Sequence, residues 1–502
     1  MADVILAIDQ GTTGTTVALM DASGRLLNSV NHEFPQYYPQ PGWVEHDPET
    51  IWTSVLKGCR ALFKGRNPTS THIVAIGITN QRETAMLWDR DSGKALNNAI
   101  VWQCRRTTEF CQSLRAAGHE PLVKSKTGLM LDPYFSASKY RWLLNNTQGI
   151  ERRLKQGKVA AGTMDAFLLW RLTGGSVHAT DVSNASRTSL LNINTGQWDD
   201  ELLSLFAVPQ NILPEVRASS AIVGRTKGVP GLPDGIPIAG LAGDQQAALF
   251  GQACFKPGEA KCTFGTGSFI LMNTGANRVN SEAGLLTTIA WQLGDDGPLQ
   301  YALEGGAFVC GAAVQWLRDE LGLIKNAADI EPLANSVVDS GGGEFVPALT
   351  GLGAPYWNPD ARGLLCGLTR GTGRAHIARA TLEAMALQNA DILLAMEQDL
   401  GSRLKPLRVD GGASVNNLLM QLQADYLGRK IIRPNAIETT VAGACFLAGL
   451  GVGLWRSSAE VSKVWGIDRE FTVNLPPKKR AQRMAAWQLA IQRTQLSSDH
   501  GG

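Results

Sequence analysis

Three short glycine-containing turns carry residue types suited to holding phosphate. Asp9-Gln10-Gly11-Thr12-Thr13-Gly14 follows the apolar run 4–8 and continues into Thr15 and Thr16. Gly265-Thr266-Gly267-Ser268 joins two further apolar runs, and Gly411-Gly412 follows the run 407–409. Phosphate oxygens need several backbone N–H groups converging on one concavity, and residues small enough to let them approach. The third turn precedes a helical segment, whose N-terminal dipole favours anions. One such turn alone reads as an ordinary hairpin. Three of them, two with threonine at the tip, point to a nucleotide. No GxxxxGK[ST] occurs, and no GxGxxG lies between a strand and a helix, so a P-loop enzyme and a dinucleotide-binding Rossmann protein are both excluded.

Charged residues recur at the ends of apolar runs. Asp9 closes the first, Arg82 and Glu83 follow the run 73–78, and Asp244 lies between the run 238–241 and an apolar helical stretch. A carboxylate at a strand end can orient a hydroxyl and take its proton. It can equally cap the helix that follows. On residue type alone both readings of Asp244 stay open, and Arg82-Glu83 reads either as a site pair or as a surface pair of small consequence.

The elements around these residues repeat. Strands at 4–8, 16–20 and 25–32 enclose the first turn, a helix is expected at 48–63 behind an Asp47 cap, and 73–78 has the continuous apolarity of a strand buried on both faces. About 250 residues later, strands 259–263 and 269–273 enclose the second turn. Helices are expected at 307–320, 377–400 and 416–427, with the small-residue run 305–313 taken as close helix packing. The Pro/Gly-rich stretch 230–237 and the strand after it set a boundary near residue 248. The expected fold is α/β: two domains, 1–248 and 249–502, each a mixed β-sheet flanked by helices, with the site in the central cleft.

Composition narrows the class further. The chain has 502 residues, a net charge of +2, 44% hydrophobic and 18% charged residues. That balance describes an ordinary globular protein and gives no reason to expect nucleic acid or an anionic membrane as partner. Lys478-Lys479-Arg480 reads as a solvated helix start. No window approaches a membrane span, no leader pattern opens the chain, and eight scattered cysteines without a CxxC pair read as reduced thiols, so a cytoplasmic location is expected.

The turns DQGTTG and FGTGSF and the element RVDGGAS resemble the two phosphate motifs and the adenosine motif of the actin, heat-shock-70 and hexokinase superfamily. Within it the chain resembles the FGGY carbohydrate kinases, which include glycerol, xylulose and gluconate kinases. The segments PGWVEHDP, GITNQRET, AIVWQCRR, TGLMLDPYFSASK, AGDQQAALFGQ, SEAGLLTT and TGLGAPYW are similar to those members that act on glycerol. The resemblance implies two actin-like (ribonuclease H-like) domains and MgATP-dependent phosphorylation of glycerol to sn-glycerol 3-phosphate. It makes Asp244 the general base and Arg82, Glu83, Tyr134, Asp244 and Gln245 ligands of the polyol hydroxyls. Trp102 and Phe269 become the wall for its carbons. It carries nucleotide contacts to Thr12, Thr13, Gly14, Thr266, Gly311, Gln315, Gly412 and Asn416, and a water-mediated Mg²⁺ contact to Asp9. Relatives often form dimers or tetramers, so a homo-oligomer is expected.

Two departures qualify the resemblance. Many relatives carry an arginine toward the nucleotide phosphates where this chain has Thr16, which implies weaker phosphate anchoring here. The loop 228–237 lacks the arginine-bearing, glycine-rich segment associated with sugar-bisphosphate inhibition. Two competing readings are a kinase for another small polyol or sugar (erythritol, a pentitol, a ketopentose) and an actin- or chaperone-like ATPase.

Overall fold

A computed structural model describes residues 3–64, 72–436 and 438–496. Two mixed sheets organise these residues. The first has six strands in the order Ser220–Arg225, Pro237–Gly243, His72–Asn80, Asp3–Gln10, Gly14–Asp21, Leu26–Glu33. The second has seven, in the order Leu286–Trp291, Gln300–Ala307, Ser268–Gly275, Ala260–Phe264, Leu407–Asp410, Ile431–Pro434, Ile467–Phe471. Read from the hairpin side, the first sheet pairs antiparallel twice, parallel twice, then antiparallel. The second repeats that succession after one additional antiparallel strand. Each sheet therefore presents a hairpin turn, Gly11–Gly14 or Gly265–Gly267, beside the carboxyl ends of its parallel strands, where open α/β sheets bind ligands.

Local chemistry explains most of the elements. Asp47 accepts from the Glu49 amide at 2.9 Å and starts the helix Pro48–Leu62, with proline in its first turn. The strands Asp3–Gln10 and His72–Asn80 are apolar on both faces because helices cover both sides of the sheet. Ala307, expected to start a helix over 307–320, instead ends the strand Gln300–Ala307 together with Gly305 and Gly306, and the helix runs only from Gly311 to Asp319. The reason is tertiary: a Cβ on Gly305 would lie 2.5 Å from Ile392 of the long helix Arg374–Leu400, which packs across the sheet there.

The path between the halves is more interwoven than a cut at residue 248 suggests. That position lies inside the helix Asp244–Gly251. The late helix Thr439–Gly451 returns to pack on the first sheet and on this same helix. Glycines make the approach: a Cβ on Gly443 would lie 1.8 Å from the Ala247 carbonyl oxygen, and one on Gly77 would lie 2.2 Å from that of Ala444. All eight cysteines are free thiols, and among the described residues no helix is long and apolar enough to cross a membrane.

Candidate active site

The two glycine–threonine turns share one backbone arrangement. The amide of Gly11 donates to the Gly14 carbonyl and that of Gly265 to the Gly267 carbonyl, each at 2.9 Å. In each turn the next two amides, those of Thr12 and Thr13 and those of Thr266 and Gly267, make no hydrogen bond to other described residues. Four uncommitted N–H groups at two sheet ends suit phosphate oxygens. The first turn is braced from behind: Gln36 donates to the Thr12 carbonyl at 2.9 Å, and Trp102 Nε1 to the Thr12 hydroxyl at 3.0 Å.

Other expected nucleotide residues lie around the turns in differing ways. Gly14 is buried, and a Cβ there would meet Asn31 at 3.0 Å. Gly311 packs on the second turn, its amide donating to the Gly265 carbonyl at 2.9 Å; a Cβ there would lie 2.7 Å from that oxygen. Gln315, one turn further along this helix, is exposed. Gly412 has open space where a Cβ would stand, while Gly411 adopts φ +85° against the Phe264 backbone. Asn416 caps the helix Asn417–Leu427 through its side-chain oxygen, 2.8 Å from the Leu419 amide, which leaves its NH₂ group as the free end. Thr16 stands opposite Asp9 in the hairpin, and its hydroxyl accepts from Asn31 Nδ2 at 2.9 Å.

The polyol candidates converge on a buried charge cluster. Arg82, 3% exposed, lies just past the strand His72–Asn80. Its guanidinium forks onto Glu304 at 2.6 and 2.8 Å, Nη1 also reaches Gln246 at 3.3 Å, and Nε lies 3.3 Å from Asp244. These contacts leave the second N–H of Nη2 uncommitted. Its stem fits because residue 243 is glycine; a Cβ there would lie 2.7 Å from Arg82 Cγ and Cδ. Glu83, also buried, holds a left-handed φ of +62° and accepts from Arg187 Nε at 2.7 Å; Arg187 in turn reaches Glu304 at 3.1 Å. Arg82, Arg187 and Lys261 thus face Glu83, Asp244 and Glu304, with Asp410 also acting on Lys261 and Lys139 on Glu83, so that each ion has opposite charge near it, as buried ions require.

Asp244 opens the helix Asp244–Gly251 behind the N-cap Gly243, and its side chain remains 30% exposed. Burial raises its pKa, while Arg82 and Lys261 pull it back toward the ionised form. Glu304 is held down to about 2: burial raises it, and the two arginines overcome that. Asp9 has no ion pair among the described residues, and burial together with Asp244 and Glu438 pushes it up to about 8. Trp102 meets Tyr134 edge to face at 5.6 Å, and both rings stay partly open, as does Phe269, which lies over its cross-strand neighbour Gly306 in the second sheet.

Three of the charged residues here escape a reading by motif. Lys261 and Glu304 are lone charges inside otherwise apolar strands, a pattern that carries a signal because such a charge must have a partner. Arg187 sits in a loop and has no local signature.

A two-sheet kinase of the actin-like fold, with a cleft lined by phosphate turns and a carboxylate, is the class this architecture defines. The chain belongs to the FGGY family of carbohydrate kinases: its N-terminal domain profile matches residues 4–251 and its C-terminal domain profile residues 260–452. A glycerol kinase of Bdellovibrio bacteriovorus is 57% identical over 98% of this chain and 99% of its own length. A glycerol kinase of Symbiobacterium thermophilum is 55% identical, covering 97% and 98%. The crystal structure of Plasmodium falciparum glycerol kinase with ADP superposes with a TM-score of 0.93 at 39% identity, covering 98% of each chain. A xylulose kinase of Lactobacillus acidophilus, at 23% identity and a TM-score of 0.89, shares the fold.

Proposed function

We propose that this protein transfers the γ-phosphoryl group of ATP to a primary hydroxyl of glycerol, giving sn-glycerol 3-phosphate and ADP. The observation that carries the reading is the junction of Arg82, Glu83 and Asp244 in one buried charge cluster, beside a turn whose amides are uncommitted. An ATPase that only signals its nucleotide state has no use for such a cluster. The long identity to glycerol kinases supports the choice of substrate.

Asp244 accepts the hydrogen of the reacting hydroxyl, orients its oxygen, and takes the proton as the bond to phosphorus forms. The remaining Arg82 N–H donates to a second hydroxyl oxygen, and Glu83 accepts from a hydroxyl. Tyr134 and Gln245 complete the polar set, while Trp102 and Phe269 cover the carbons and exclude water. The uncommitted amides of Thr12, Thr13, Thr266 and Gly267 hold phosphate oxygens without carrying a charge. Gly14, Gly311, Gln315, Gly412 and Asn416 border the nucleotide, and Thr16 stands beside the phosphates as a neutral residue. The unpaired carboxylate of Asp9, crowded by Asp244 and Glu438, suits a divalent cation held through water. A bound Mg²⁺ neutralises phosphate charge. We assign the protein to the cytoplasm and expect a homo-oligomer.

A coupled ADP-release assay over glycerol, erythritol, pentitols and ketopentoses tests the assignment. Glycerol should give the highest kcat/KM, and ATP turnover indifferent to all of them would overturn it. Asp244→Asn should lower kcat by about 10²–10⁴-fold while glycerol still binds in calorimetry; retained turnover would remove Asp244 as the base.

A further inference from the structure

Two buried cations of the cluster, Arg187 and Lys261, have no part in the reaction described above; Arg187 is taken up by Glu83 and Glu304, whereas Lys261 reaches toward the acceptor side. It lies in the strand Ala260–Phe264 of the second sheet with no exposed surface. Its ammonium donates to Gln245 Oε1 across the gap between the two halves, and to the Thr263 hydroxyl at 2.8 Å. An ammonium can only donate, so the end of the Gln245 amide facing it must be the oxygen. The NH₂ of Gln245 is then the end left for the cleft. Gln245 follows Asp244 directly, and its backbone N–H donates to the Asp244 carboxylate at 2.7 Å, so the two residues share one short stretch of backbone.

We infer that Lys261 is a positioning residue for the acceptor substrate, presenting the Gln245 amide as a donor to a polyol oxygen and keeping Asp244 ionised. The inference rests on the glycerol-phosphorylation reading. Two features set it apart from a purely structural lysine. Burying an ammonium is costly unless partners compensate; Asp410 supplies the opposite charge, and a further partner is the amide of a residue that lines the cleft. Lys261 also acts on Asp244 electrostatically. The groups facing Asp244 from the elements around it are Arg82, Lys261, Glu304 and Asp9; of the two cations, only Lys261 is not already forked onto Glu304. Thr263, its other partner, lies two residues before Gly265, so the same side chain joins the acceptor pocket to the second phosphate turn.

The test uses full-length wild type, Lys261→Met and Lys261→Arg in steady-state assays with glycerol and MgATP across pH, after ADP binding by calorimetry has verified each fold. In Lys261→Met the KM for glycerol should rise about tenfold, the loss expected for a hydrogen bond to a charged group, and the KM for ATP by much less. Its acid limb in kcat/KM should move to higher pH, because a carboxylate deprived of a cation is harder to ionise. Lys261→Arg keeps the charge but not the single-point contact, so its acid limb should stay while the glycerol KM rises at least about threefold. Wild-type glycerol KM and acid limb in Lys261→Met, or an ATP KM raised as far as that of glycerol, would overturn the role. Should Lys261→Met not fold, a wild-type glycerol KM in Lys261→Arg would overturn it as well. Failure of the wild type itself to release ADP in response to glycerol would instead overturn the underlying activity.

Discussion

Asp9 carries the sharpest conflict between stability and use. Its carboxyl is pushed up to about 8 because burial and two neighbouring carboxylates oppose its ionisation. The folded state therefore holds the proton more tightly than the unfolded chain does. The stability this contributes is complete below the ordinary carboxylate range and is lost as pH rises through about 8. Asp9→Asn removes the titration. Its melting temperature should exceed that of the wild type at pH 8 and converge toward it at pH 5, with phosphorylation greatly reduced; parallel melting curves against pH would contradict this account. The same residue predicts that Mg²⁺ binding near pH 7 expels a proton, since the cation needs the ionised form. Titration calorimetry in buffers of different ionisation enthalpy reads that release directly.

Among the elements, the helix pair Asp244–Gly251 and Thr439–Gly451 decides where the Asp244 carboxylate stands. Their backbones meet through Gly443 and Gly251, a separation that no larger residue permits. Gly443→Val would place carbon where the Ala247 carbonyl oxygen lies. The cost should be at least about 1–3 kcal/mol by overpacking, seen as a lower urea midpoint, and kcat should fall because Asp244 moves with its helix. An unchanged midpoint would mean that the helices separate freely. Glu83 belongs at this scale too. Its left-handed backbone turns the chain sharply after the strand His72–Asn80, so that Arg82 and Glu83 both face inward. A motif reading of NQRET places these residues at a strand end but does not foresee that turn.

For the molecule as a whole, the interlacing of the two halves predicts how it can be divided. Residues 1–256 contain the complete first sheet but lack the helix Thr439–Gly451 that covers it. Expressed alone, this fragment should aggregate or show no cooperative thermal transition, and co-expression with residues 257–502 should restore both folding and activity. A cooperative transition in the isolated fragment would show that the late helix is dispensable.

Much of this architecture was legible in one sequence. Apolar runs of strand length, Asp47 as a cap, glycine–threonine turns and charges at strand ends are local features, and local sterics and hydrogen bonding make them readable without a fold. The expected pairing of two similar halves held because each half repeats the same strand–turn–strand grammar. What could not be read is what depends on contacts distant in the chain. Strand continued to Ala307, where a helix was expected to start, because the helix Arg374–Leu400 lies across 305–307. Glu304 gained a role only once Arg82 and Arg187, more than one hundred residues away, were brought to it. Lys261 met the Gln245 amide only when the second sheet was set against the first. Sequence alone determined that glycine–threonine turns and carboxylates stand at the ends of apolar strands, since each is declared by its own short motif. Tertiary structure decided which charges neutralise one another and which donors remain free, because a buried ion is defined by its neighbours and those neighbours come from both halves of the chain.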